Sequence, residues 1–434
     1  MKDGGRIAAA AEVLADLERT RRPVADILKD WGHAHRFAGS GDRAAIGSLV
    51  FDALRRRNSL AAMMGADTPR ALALAAYAIG WGRGRAGLEA ALAGDAHAPA
   101  VLSEEECAAL DSARLPEDAP VHVRADLPDW LVPSLSRAFG DRLADEGRAF
   151  AARAPVDLRV NTLKADRDAV LGDLAEFGAG PTPLSPLGVR IPVGEGDARA
   201  PHVQSEPGYK LGRFEIQDEG SQIAALLAAP APGAAALDLC AGGGGKTLAL
   251  SAAMDNAGTI HAFDTDKRRF GDIFDRLGRA GATNVDVRMP KPGALDDLAG
   301  RMDLVLIDAP CTGVGTWRRR PDAKWRLAPG ALDLRLSEQR KVLAQGAGFA
   351  RPGGTLVYVT CSVLPEENED QVAAFLSAHT DFRLVSIEAR WRERLPGAPP
   401  AGAVVGIAGR GTALRLTPAN AGTDGFFVAV MTRG

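Results

Sequence analysis

Cysteine is scarce in this chain, with four residues in 434, at positions 107, 240, 311 and 361. None stands in a Cys-x-x-Cys spacing, so neither a disulfide framework nor a structural zinc site is expected. That usage suits a reducing compartment such as the cytoplasm. An excess of positive charge is missing too. The net charge of -3 gives no global polybasic field, so a nucleic-acid partner has to be held by local patches. Long apolar runs are also absent, since stretches such as ALALAAYAIGW are too short to span a bilayer. The opening MKDGGRIAAAAEVLADLERT carries acids inside its apolar stretch and lacks the core and cleavage region of a signal peptide. These absences predict a soluble cytoplasmic protein with no membrane partner and no bound metal. The length exceeds what one ordinary core organises, so two or three domains are expected.

What is present divides the chain into three. In residues 1–125 apolar side chains recur at helical spacing: Ile7, Ala11, Leu14 and Leu17, then Val24, Ile27, Leu28 and Trp31, then Ile46, Leu49, Val50, Ala53 and Leu54. No β-like alternation interrupts them, which predicts an all-helical bundle. Basic clusters at Arg19, Arg21 and Arg22, and at Arg55, Arg56 and Arg57, read first as solvated helix faces. A Pro/Asp-rich stretch near 112–126 reads as a linker. Residues 126–228 mix a short amphipathic helix (PDWLVPSLSRAFG), a strand (VDLRVNT), a helix closed by Gly178 and a second strand (GVRIPV), a small α+β unit. From 229 to 434 strands and helices alternate, which predicts a doubly wound α/β domain with a mostly parallel sheet. The expected strands are Ala235–Leu239, Thr259–Asp264, Val285–Arg288, Leu304–Asp308 and Thr355–Thr360. Two more, Ala413–Leu416 and Phe426–Met431, are expected as an antiparallel hairpin at the sheet edge.

Cys311 and Cys361 lie in two stretches built alike, VLIDAPCTG and LVYVTCSVL. Each is an apolar strand that stops at a polar turn bearing the cysteine. Ligands of open α/β sheets bind beyond the carboxyl ends of the strands, so two such turns would share one rim. The first strand of the domain ends in LDLCAGGGGKT. A phosphate loop needs a glycine where Cys240 stands, which discounts a nucleoside triphosphatase. The glycine-rich turn with Asp264, 19 residues beyond Gly245 at the next strand end, suits an adenine nucleoside such as S-adenosylmethionine. Asp308 at a strand end can meet that cofactor or the amino edge of a base. In TWRRRPDAKWR, Arg318, Arg319, Arg320, Lys324 and Arg326 interleave with Trp317 and Trp325, cations for phosphates and flat rings for bases, which suits single-stranded RNA rather than DNA. A thiol beside a base pocket suggests one reaction. Addition at carbon 6 of a pyrimidine makes carbon 5 nucleophilic towards a methyl sulfonium. A second thiol can then assist in breaking down the adduct. The residues alone do not say which cysteine attacks.

At these motifs the chain resembles the NOL/NOP/Sun family of RNA 5-methylcytosine methyltransferases, most of all its bacterial small-subunit rRNA members. The matching stretches are PDWL, LRVNTLK, PGYKLGRFEIQDEGSQ, LDLCAGGGGKT, FDTDKRR, IDAPCTGVGTWRRRPDAKW, TCSVLPEEN and DGFF. The helical start is similar to that group's NusB-like RNA-binding domain. The resemblance implies a Rossmann-like methyltransferase domain and roles for matching positions. Cys361 would be the nucleophile and Cys311 would help release product. Cys240, Ala241, Gly242, Gly243, Gly244, Gly245 and Lys246, with Asp264 and Arg269, would hold S-adenosylmethionine. Asp308 would sit between cofactor and cytosine, with Lys246 nearby. It also implies RNA, small-subunit rRNA, as the partner. The chain departs from the family pattern twice. Gly242-Gly243 replace the Ala-Pro of CAAPGGKT, which predicts a more flexible loop. No acid follows the third strand from Val287 to Leu295, so an adenine contact would need Asp286 from a shifted strand or be absent.

Overall fold

The computed structural model describes residues 1–198 and 201–434. Its chain forms two compact units. The first holds Met1–Ala154, a short piece from Val193 and the segment Thr316–Leu327; the second holds Pro155–Pro192, Pro201–Gly315 and Ala328–Gly434.

The first unit is helical. Its long helices, Asp3–Thr20, Val24–Ala34 and Ser40–Arg55, turn the apolar positions read from the sequence inward, with Ile7, Leu14, Leu17, Ile46, Leu49, Val50 and Leu54 all in one core. Local signals fix helix starts. The Thr68 hydroxyl accepts from the Ala71 N–H ahead of a helix opening on Pro69, and Ser103 with Glu106 closes a reciprocal capping box. The basic clusters are largely engaged with acids: Arg19 with Asp16, Arg22 with Asp30, Arg55 with Asp52, and Arg57 with Glu18 and Asp67.

Residues 126–154, with the helices Val132–Phe139 and Leu143–Ala151, fall in the first compact unit. The segment Thr316–Leu327 also belongs to this unit, and several of its side chains are engaged inside it. Trp317 is buried edge-on to Phe150, with centroids 6.3 Å apart. Lys324 is buried, donates to the Arg55 carbonyl at 2.9 Å and lies over the Trp325 ring at 4.9 Å; burial pushes its ammonium down to about 8. Trp325 Nε1 donates to the Leu54 carbonyl at 2.6 Å. Arg318 is buried, its carbonyl accepting from Arg55 at 3.0 Å, Arg319 is half-buried, and Arg320 is exposed.

The second unit contains two sheets. In the small one, β1 (Val156–Val160), β2 (Gly180–Pro181), β3 (Gly188–Ile191) and β4 (Phe214–Ile216) run in the order β2-β3-β1-β4, antiparallel throughout. The large one comprises β5 (Ala235–Asp238), β6 (Thr259–Phe263), β7 (Val285–Arg288), β8 (Met302–Asp308), β9 (Ala350–Thr360), β10 (Phe382–Leu384), β11 (Val404–Gly406), β12 (Thr412–Leu416) and β13 (Phe426–Arg433). The order is β11-β12-β13-β9-β8-β5-β6-β7, with β10 against β13. Strands β5 to β9 are parallel to their neighbours, and β13 runs antiparallel beside β9. Alternate residues feed two cores: Leu237, Val305, Ile307, Leu356 and Tyr358 on one face, and Ala236, Leu304, Leu306, Val357 and Val359 on the other. Burial on both faces is why these strands read as continuous apolar runs. The doubly wound, Rossmann-like expectation therefore holds. The expected terminal hairpin exists, but β13 lies inside the sheet and β11 forms its edge.

Strand order reverses between β5 and β8, the switch point at which such sheets open a cleft. Close by, the turn after β8 meets the turn before β13. The Gly425 N–H donates to the Gly315 carbonyl at 2.7 Å, and the Gly315 N–H to the Cys361 carbonyl at 3.0 Å. A Cβ on Gly315 would stand 2.2 Å from the Gly425 oxygen, so only glycine fits. Gly315→Ala is expected to destabilise the second unit by about 1–3 kcal/mol, the usual cost of overpacking. Urea unfolding checks this; an unchanged midpoint would show that the Gly425 turn yields.

Candidate functional site

The site is built on the carboxyl ends of β5, β6, β8 and β9. Strands β8 and β9 are parallel neighbours with Asp308 opposite Val359 in register. The turn Ala309-Pro310-Cys311 and the turn opened by Cys361 therefore emerge side by side. The two sulfurs lie 3.4 Å apart, and both thiols are free and half-buried. The Cys311 thiol is pushed well above its ordinary range. The hydrogen bond with Cys361 contributes most, then burial, then repulsion from Cys361 and Glu367.

Lys246 sits in the first turn of the helix Gly245–Ala253 that follows the glycine loop. Its buried ammonium donates to Asp308 Oδ2 at 2.6 Å and lies over the Phe426 ring at 5.5 Å. Asp308, a third exposed, is thus fixed at the strand end with one oxygen held. Beneath it Asp238 is buried. The Thr247 hydroxyl donates to its Oδ2 at 2.7 Å, while Oδ1 has no partner. Burial pushes this carboxyl up to about 7; the Thr247 hydrogen bond opposes the shift and the Asp308 charge adds to it. Burial likewise pushes up the Cys240 thiol, which leaves it neutral.

The glycine loop turns through Gly242 at φ 50° and Gly244 at φ 80°, left-handed conformations that favour glycine. A Cβ on Gly244 would stand 2.8 Å from Ile273. Asp264 closes the other side. Its Oδ2 accepts from the Gly242 N–H at 3.1 Å and from Arg269 Nη1 at 3.0 Å, and its Oδ1 from the Asp266 N–H at 3.0 Å. A Cβ on Gly242 would fall 3.9 Å from this carboxylate, in the space between loop and strand end. A tight glycine turn, open backbone and a strand-end carboxylate fit a nucleoside with a ribose diol.

The expected flexibility of this loop is met by groups that the sequence did not single out. Arg276 Nη1 donates to the Gly243 carbonyl at 2.5 Å, and Arg159 Nη1 to the Gly245 carbonyl at 2.8 Å. Arg276 is in turn held by Glu215 at 3.1 Å, and buried Glu215 also binds Arg279 at 2.5 Å. The question of the adenine acid also resolves. Strand β7 keeps its expected bounds, and Asp286 sits mid-strand opposite His261, bonded to His261 Nδ1 at 3.0 Å and Arg288 Nε at 2.5 Å. It does not reach the strand end.

Comparison with known proteins gives two consecutive family matches. Residues 127–194 match the RsmF/B-like ferredoxin-like domain, and residues 225–432 match the 16S rRNA methyltransferase RsmB/F model. A probable ribosomal RNA small subunit methyltransferase B of Synechocystis is 31% identical over 308 residues, 70% of this chain and 66% of the relative. The ribosomal RNA small subunit methyltransferase B of Salmonella newport is 36% identical over 263 residues, 59% of each. The matches thus span less than two thirds of these relatives' lengths. Among solved structures, a methyltransferase homolog protein from Pyrococcus horikoshii superposes with a TM-score of 0.60 at 28% identity, over 72% of this chain and 98% of that one.

Two outcomes follow from the geometry. Asp238 binds its proton more tightly in the folded chain, so its contribution favours folding at low pH and is lost as pH rises from near 3.8 through about 7. Asp238→Asn should remove that loss. The wild-type stability, relative to the variant, should fall across this window in urea titrations; a constant gap would mean ordinary ionisation. Arg276→Ala should free the Gly243 carbonyl and speed amide hydrogen exchange over Gly242–Lys246 about tenfold or more, as expected when ~1.5–3 kcal/mol of a charged hydrogen bond is lost. Unchanged exchange would mean that Arg276 does not restrain the loop.

Proposed function

Because the chain belongs to the RsmB/F methyltransferase family, a branch of the NOL/NOP/Sun group, we propose that it methylates carbon 5 of a cytosine in small-subunit rRNA through a covalent adduct with Cys361. The observation that carries this reading is the pair of thiols 3.4 Å apart at the ends of adjacent parallel strands, beside a glycine loop and a strand-end carboxylate. A methyltransferase acting on amino groups would have no use for two such thiols.

S-adenosylmethionine, bound by the loop from Cys240 to Lys246 and by Asp264, supplies an electrophilic methyl carbon on its sulfonium. The chain's own groups do the rest. The Cys361 thiolate pair forms a sulfur–carbon bond at carbon 6 of the cytosine, and the displaced π pair makes carbon 5 nucleophilic. Asp308, held by Lys246, offers its free oxygen as an acceptor to the amino group of the base, which orients the ring. Once carbon 5 carries the methyl group, the Cys311 sulfur takes the carbon-5 proton, the C–H pair re-forms the 5,6 double bond, and the sulfur–carbon bond breaks with its pair returning to Cys361. Cys311, adjacent to that sulfur, assists the release. Of the five residues expected to touch RNA, exposed Arg320 keeps that role best; Arg318, Lys324 and Trp325 are engaged within the helical unit.

Cys361→Ala should abolish methylation while cofactor affinity stays near wild type. Cys311→Ala should accumulate a protein–RNA adduct on denaturing gels. Bisulfite sequencing of RNA from cells lacking the protein, complemented with wild type or Cys361→Ala, tests both target and mechanism. One cytosine protected by the wild type alone supports the reading. RNA binding without any protected cytosine would leave a non-catalytic RNA-binding protein on the same fold.

A further inference from the structure

Glu367 is the buried charge at the site that the mechanism above does not use. It lies in the PEEN turn after β9, wholly enclosed. Its Oε1 accepts from the Thr312 N–H at 2.7 Å and from Gln339 Nε2 at 3.0 Å, and its Oε2 from the Thr312 hydroxyl at 2.5 Å. Gln339, buried on the helix Pro329–Ala347, also donates to the Pro310 carbonyl at 2.9 Å. The residues on both sides of Cys311 are thereby pinned to one carboxylate. Its backbone is anchored as well, since the Tyr358 hydroxyl donates to the Glu367 carbonyl at 2.7 Å.

The neighbouring residue performs the matching task for the other thiol. Asn368 Oδ1 accepts from the Thr360 hydroxyl at 2.6 Å, and its Nδ2 donates to the Ser362 carbonyl at 3.0 Å. These two bonds bracket Cys361. Consecutive side chains of one turn thus latch both cysteine turns, and the separation of the sulfurs is set by how Glu367 and Asn368 sit.

The donors to Glu367 are all neutral: an amide N–H, a hydroxyl and a carboxamide. They satisfy its oxygens without cancelling its charge, and a buried carboxylate in low dielectric acts on its neighbours at greater strength than one in water. The Cys311 sulfur lies 3.4 Å from that of Cys361, the Glu367 charge acts with burial to push its thiol up, and the Gly313 N–H opposes the shift. The side chain that brackets Cys361 is Asn368, which is neutral.

We propose that Glu367 is a positioning residue that sets the Cys311 turn against Cys361 and keeps a proton on Cys311 until the adduct has formed. This rests on the covalent reading given above and deepens it. With the proton on Cys311, its S–H donates to the Cys361 thiolate, and attack on carbon 6 falls to Cys361. Bond formation converts that thiolate into a neutral thioether. The Cys361 charge that helped Glu367 hold the Cys311 proton is then gone, so Cys311 gives its proton to solvent more readily only after the adduct has formed, and its thiolate can then take the carbon-5 proton. One carboxylate therefore orders the two thiols in time.

The test needs no methyl transfer. Full-length protein, without cofactor or RNA, is alkylated with iodoacetamide across a range of pH, and labelling at Cys311 and Cys361 is quantified by peptide mass spectrometry. In the wild type the labelling of Cys361 should rise at lower pH than that of Cys311. In Glu367→Gln, which keeps the shape and removes the charge, the Cys311 profile should move to lower pH, with several-fold faster labelling near neutrality and a smaller change at Cys361. Coincident Cys311 profiles in the two proteins would overturn the proposal. If Glu367→Gln does not fold, the wild-type order alone decides, and Cys311 ionising first would also overturn it. Loss of the bisulfite signal with the labelling order intact would count against the methylation reading and not against this one.

Discussion

Parallel pairing of β8 with β9 is the constraint on which the site depends. Parallel strands point their carboxyl ends the same way, so two turns fifty residues apart in sequence become neighbours without any loop spanning the distance between them. Had β9 been antiparallel to β8, Cys361 would stand at the opposite rim. Strand β13 runs the other way beside β9, and its approach brings Gly425 against Gly315 and Phe426 over Lys246. The reversed strand thus closes the side of the cleft that a purely parallel sheet would leave open.

The glycine loop shows how one restraint replaces another. A proline restricts a loop through its own ring. Here the backbone at Gly243 is unrestricted by its side chain, and guanidinium groups from outside hold its carbonyl and that of Gly245. The restraint has moved from covalent geometry into charge-assisted hydrogen bonds, with Glu215 on β4 of the small sheet as their base. The small sheet is therefore part of the cofactor loop's support, and its strands have a role in the second unit beyond filling space.

The doubly wound sheet and the cysteine turns were legible in the sequence because both-face burial writes itself as unbroken apolar runs, and each run here ends in an abrupt polar turn. Strands β10 and β11 were not, being three residues each and held by their neighbours rather than by their own pattern. Asp308 and Lys246 were found because they stand in motifs. Arg276, Glu215 and Gln339 were missed because each acts across the fold on a backbone or carboxylate far away in sequence. The segment Thr316–Leu327 is the most instructive. Interleaved cations and aromatic rings suggest a surface for RNA, yet Lys324 sits over Trp325 and near Trp317, so the two residue types recognise each other. Composition cannot distinguish a ring waiting for a base from a ring already covered by a lysine.

That segment has a further consequence for how the chain is made. The helical unit takes its first 154 residues from the start of the sequence but needs Thr316–Leu327 to complete it, with Trp317, Lys324 and Trp325 filling and bonding its interior. Domains ordinarily fold in order as they leave the ribosome. Here the first unit to emerge is finished only after most of the second has been synthesised. During that interval the nascent helices carry an open seam, including the free carbonyls of Leu54 and Arg55, and they depend on a strip of chain still to be translated.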